Sequence, residues 1–119
     1  MAFTPNEKEK FLAALIDTRS AAQTVEIRLR FQERTTEAEQ VKNACDGLSD
    51  EIDTLTGQLM DDWLGNANKA IADLGKKSAV VDNAVGDIKK KLKIAQNVVK
   101  LIGAIDDAVA IAKKAVMAL

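Results

Sequence analysis

Between Ile94 and Ala115 the residues Ile94, Val98, Leu101, Ile105, Ala108, Ala112 and Ala115 recur every three or four positions. That is the period of one helical face. A second stripe (Val81, Val85, Ile88, Leu92, Ala95, Val99 and Ile102) overlaps it. A helix that covers one neighbour needs an apolar stripe of about 100°. The C-terminal segment exposes more than that, so it must touch at least two neighbours. It is either the central helix of a bundle or a surface for self-association. Its small residues, Gly103, Ala104, Ala108, Ala110 and Ala112 among them, permit close helix approach.

The rest of the chain points the same way. One proline, six glycines and no tyrosine in 119 residues leave too few turn formers for a sheet. Thr4 with Pro5 and Glu7 reads as an N-cap, first-turn proline and capping box. Phe11, Leu15, Thr18, Ala22, Val25 and Leu29 then form one stripe, which Leu12, Ile16, Ile27 and Phe31 widen. Val25 to Phe31 also alternates like a half-buried strand, but no second strand is available, and helix is the reading adopted. Residues 32–46 read as a mostly solvated continuation of that helix, with Ala38, Val41, Ala44 and Cys45 as its apolar members.

Three breaks are legible. Gly47 suits a helix C-cap, with Ser49 as the next N-cap. Gly65-Asn66 and Gly75 with Ser78 are the others. The fold expected is all-α, one helical domain over residues 1–119. It is an elongated antiparallel hairpin or a three-helix bundle with coiled-coil-like packing. A hairpin turning at 64–66 would have arms of about 55 residues, roughly 80 Å long at 1.5 Å per residue.

In that hairpin Trp63, the sole tryptophan, closes the first arm. Gly65 supplies a permissive backbone and Asn66 caps the second arm. Trp63-Leu64-Gly65-Asn66-Ala67, with Leu59 before it and Ile71 after, resembles the W-x-G-x-A turn of the WXG family. Members of that family are small helical hairpins exported without a signal peptide by type VII (ESX-type) secretion systems. The resemblance implies dimers that form a four-helix bundle and leave the cell as folded pairs. Without tyrosine, the family's Y-x-x-x-D/E export signal has no counterpart here.

Charge is uneven along the chain. Residues 1–62 hold 7 Lys and Arg against 13 Asp and Glu, and residues 63–119 hold 10 against 5. The halves therefore attract, within a molecule or between two. Lys89, Lys90, Lys91 and Lys93 form the densest cluster. On a helix they would point in several directions, as a solvated face or a partner for the acidic half. They are also the candidate contact with an anionic membrane. Nucleic acid is disfavoured, because no Arg or aromatic accompanies them.

Catalysis finds little support. No histidine is present, and the one cysteine, Cys45, excludes an internal disulfide. Cys45 reads as a small hydrophobe. Asp61-Asp62 and Asp106-Asp107 are adjacent pairs that diverge by about 100° on a helix, so neither pair shares one site. No cofactor or metal is expected.

The N-terminal stretch lacks a basic segment followed by a long apolar one. Synthesis in the cytoplasm is expected, with signal-independent secretion as the open alternative. The function expected is a non-enzymatic helical interaction protein, with a second copy or another helical protein as partner. One version is a secreted WXG-like dimer. A second is a pore-forming-type component that inserts residues 94–119, with Val98, Leu101, Ile105, Ala108 and Ala112 as its membrane or oligomer face. A cytoplasmic adaptor or chaperone is the third.

Overall fold

Thr4 opens the first helix as its capping box predicts: its side chain accepts from Glu7 N, and Glu7 Oε1 accepts from Thr4 N (3.2 and 2.8 Å). The computed structural model describes residues 3–115. Four helices follow in order: α1 (Pro5–Phe31), α2 (Thr35–Gly57), α3 (Ala67–Lys89) and α4 (Ile94–Ala115). No strand forms among the described residues, and Val25–Phe31 is helical.

The stripe Phe11, Leu15, Thr18, Ala22, Val25 and Leu29 is buried along its length. So are Val98, Leu101, Ile105, Ala108, Ala112 and Ala115 of α4. α1 packs on α2 and α3, and α4 also packs on α2 and α3. α2 and α3 lie diagonally opposite, without mutual contact among the described residues. The result is a bundle measuring 45 × 22 × 22 Å. α4 covers two neighbours, as the width of its apolar face requires.

These observations correct the picture of two long arms and of three helices. The chain turns back at 32–34 and 90–93, where no glycine or proline marks a break. Both turns share one hydrogen-bonding scheme. At the end of α1, Glu33 N donates to Arg30 O and Arg34 N to Leu29 O (3.1 and 2.8 Å). At the end of α3, Lys91 N donates to Ile88 O and Leu92 N to Asp87 O (3.0 and 2.9 Å). These are Schellman motifs, whose left-handed position usually holds glycine. Here it holds Glu33 and Lys91, both at φ 60°. An L residue in that conformation costs about 1–2 kcal/mol, partly offset by lower chain entropy in the unfolded state. Glu33→Gly is therefore expected to stabilise the bundle by roughly 0.5–1 kcal/mol. Thermal unfolding checks this, and an unchanged or lower midpoint would count against the assigned turn.

Conversely, two of the expected breaks are absent. Gly47 and Ser49 lie inside α2, and Gly75 and Ser78 inside α3. None of the glycines has positive φ. A helical glycine costs about 1 kcal/mol relative to alanine, which the burial of neighbours Leu48, Ile52 and Leu55 outweighs. Ser78 instead meets Thr18 across the α1–α3 interface at 2.7 Å.

That contact sets the register. α1 and α3 run parallel, and residue i of α1 lies level with i+60 of α3. The turns at 32–34 and 90–93 therefore share one end of the bundle. The link at 58–66 crosses the other end on the diagonal from α2 to α3.

Candidate interaction surface at the loop end

The crossing link is the turn proposed around Trp63, and it is packed rather than displayed. Trp63 is fully buried. It lies edge-on to Phe3 and Phe11, with ring centroids 5.4 and 6.3 Å away, and those two rings are 5.7 Å apart. Its indole Nε1 donates to Gln58 O (3.0 Å), and Phe3 N donates to Trp63 O (2.9 Å). Lys8 Nζ donates to the carbonyls of Leu59 and Asp61 (2.8 and 2.6 Å) and lies 5.4 Å from the Trp63 ring centre. Each carbonyl thus gains a charged donor, stronger than a neutral one. Sequence reading missed Phe3 and Lys8 because both act across more than fifty residues of chain.

Gly65 and Asn66 complete this end. Asn66 Oδ1 accepts from Lys69 N (3.0 Å), the N-cap expected of it. Gly65 has a different role from the one expected. Its φ is not positive. A Cβ there would lie 2.9 Å from Lys114 O, and Gly65 N donates to Ala115 O (3.1 Å). It is needed for close approach to the end of α4. This end is a structural plug. Beside it, Leu12, Ile16, Leu59 and Met60 line a shallow apolar groove.

The opposite end differs in kind. Lys89 closes α3, and Lys90, Lys91 and Lys93 follow in the turn to α4; all four stand exposed. None of the four makes an ion pair among the described residues. They therefore do not neutralise the acidic half. Half-buried Asp87 is the carboxylate nearest to them in the chain. Across the end, by contrast, charges are matched. Arg30 pairs with Glu26 and Glu39 (3.0 and 2.9 Å), and Arg34 with Glu37 (2.8 Å). The Arg30 hydrogen bond holds the Glu39 carboxyl below its usual range. Glu33, exposed, stays outside these pairs.

Exposed apolar side chains share this end of the bundle. Leu92, between Lys91 and Lys93, is 51% exposed. Phe31 at the end of α1 is 85% exposed, and Ile27, one turn earlier on the same face, is 55% exposed. Phe31 ends α1 at the same end of the bundle where α3 ends at Lys89. The lysine turn is held from below: buried Asn97 donates through Nδ2 to Leu92 O (2.8 Å). Lys93 at φ 43° is a second strained residue there. Backbone strain of this sort gathers where surrounding structure imposes a particular presentation.

The other candidates are quickly placed. Val98, Leu101, Ile105, Ala108 and Ala112 face the bundle interior. No helix among the described residues is long and apolar enough to cross a membrane. The last four residues of the expected inserting segment, 116–119, lie outside the described residues. Cys45 is buried, and desolvation pushes its thiol up to about 11, so thiolate is scarce at neutral pH. No group of three or more metal-ligating side chains occurs among the described residues. No family model, curated protein or solved structure matches this chain.

Proposed function

We propose that this chain is a non-enzymatic helical interaction protein that attaches to an anionic partner surface through its loop end, the end of the bundle with the turns at 32–34 and 90–93. In this reading the four helices pack in coiled-coil fashion with their apolar stripes inward. One observation carries the proposal: Lys89, Lys90, Lys91 and Lys93 surround exposed Leu92 without a carboxylate partner among the described residues. Four cations on five residues are mutually repulsive, and an anionic surface relieves that repulsion. The chain's net charge is −1, so any attraction to polyanions must be local.

Retention on immobilised heparin at low salt tests the idea. The wild-type chain is expected to bind and to elute as salt screens the contact. A variant with the four lysines changed to glutamine is expected to flow through. Elution of both at the same salt would refute the loop end as the working surface.

A second reading, a WXG-like secreted dimer, is favoured by one feature. Trp63, Gly65 and Asn66 do form the link between two helices. In that reading each copy contributes four helices rather than two. Sedimentation of the wild-type chain decides it: a monomer at micromolar concentration removes this reading and leaves the first untouched.

A further inference from the structure

We infer that the anionic partner is a lipid bilayer, entered at headgroup depth by Phe31 and Leu92 while the bundle stays closed. This rests on the loop-end reading above and names its partner.

The use of aromatic residues is the first argument. The chain has three phenylalanines and one tryptophan. Phe3, Phe11 and Trp63 form one buried cluster at the plugged end. The fourth, Phe31, stands 85% exposed at the far end of the same bundle. Phe31 and Ile27 form an exposed apolar pair one helical turn apart, available to a partner surface.

The arrangement of charge is the second. Leu92 is flanked on both sides by lysine, and Phe31 closes α1 at the same end of the bundle. Lysines that hold headgroups while apolar side chains sit just below them is the pattern of interfacial attachment. Each lysine near an anionic leaflet strengthens partitioning about fivefold.

These side chains suit lipid better than nucleic acid. Readers of bases and phosphates rely on arginine forks and aromatic platforms. Arg30 and Arg34 already pair with Glu26, Glu39 and Glu37. One phenylalanine offers no row of stacking rings. The apolar face of α4 is buried in the bundle, so insertion by α4 would require opening the core, whereas Phe31 and Leu92 need no rearrangement.

The experiment is flotation of the full chain with phosphatidylcholine vesicles, with and without phosphatidylserine, alongside dye leakage and Trp63 fluorescence. Binding is expected only to the phosphatidylserine vesicles, without leakage. Trp63 emission should not change, because the indole is buried at the opposite end. The double variant Phe31→Ser, Leu92→Ser should lose at least tenfold in partitioning while its heparin retention stays unchanged. Both positions are exposed, so the fold is expected to survive.

Equal binding by the double variant would overturn the wedge. Retention on heparin or an oligonucleotide without vesicle binding would overturn the lipid assignment and spare the loop-end reading. Failure on both heparin and vesicles would remove the two together. Leakage, or a red shift of Trp63, would overturn the closed bundle and return α4 to candidacy as the inserting element.

Discussion

Trp63→Ala is expected to lower the stability of the bundle by about 3–5 kcal/mol, the range for removal of a buried large aromatic. Three losses combine. The indole is fully buried, so its removal leaves a cavity. Phe3 and Phe11 lose their edge-on partner, a geometry that contributes beyond area alone. Lys8, itself buried, loses the ring it lies over. The link at 58–66 spans the bundle diagonal, so its loosening frees both the N-terminus of α1 and the start of α3. Urea unfolding followed by circular dichroism gives the number. Trp63→Phe refines the cause: it keeps part of the packing, removes the hydrogen bond to Gln58 O and leaves a smaller void, so an intermediate loss of about 1–3 kcal/mol is expected. A loss under 1 kcal/mol for the alanine variant would mean that Trp63 is not the plug the packing makes it.

How far such a bundle can be read from its sequence depends on what each residue answers to. The stripes of α1 and α4 were legible because burial on a helix repeats with the backbone period, and that is local information. The capping box at Thr4 and the cap at Asn66 were legible for the same reason. The turns at 32–34 and 90–93 were not, because a Schellman motif is recognised by its glycine, and Glu33 and Lys91 occupy that place. Gly47 and Gly75 misled in the opposite sense, since the packing of their neighbours outweighs the propensity of one residue.

The lysine cluster shows what an error of this kind costs a functional reading. On a continuous helix those side chains diverge, and a solvated face is the natural conclusion. At a turn they converge on one end of the molecule. Phe31, whose spacing places it on the apolar face of α1, is exposed. That it shares an end of the bundle with the lysines follows from the parallel course of α1 and α3, marked by the Thr18–Ser78 contact across 60 residues, which no local pattern encodes.

The second large effect is expected at Ala108, on the helix whose sequence suggests membrane insertion. Ala108 is fully buried, between core residues Ile105 and Ala112 of the same stripe. Ala108→Asp would place a carboxyl there with no cation on the stripe to meet it. An unpaired charge in such a site costs about 3–5 kcal/mol, and overpacking adds to it. The introduced carboxyl is held protonated by burial, so its folded pKa rises above the unfolded value. Stability is then less impaired below the unfolded pKa, about 4, and is progressively lost as pH rises from there toward the folded pKa. Val99→Asp on the same helix is the internal comparison. Val99 is 71% exposed, and its change should stay within about 0.5 kcal/mol. Thermal unfolding of both variants at acidic and neutral pH separates the cases. Equal midpoints would mean that α4 does not hold its face against the core, and its release onto a membrane would then need no large opening step. A deep loss confined to Ala108→Asp, relieved by acid, would mean that α4 is held by the core and that any membrane contact must come from the loop end.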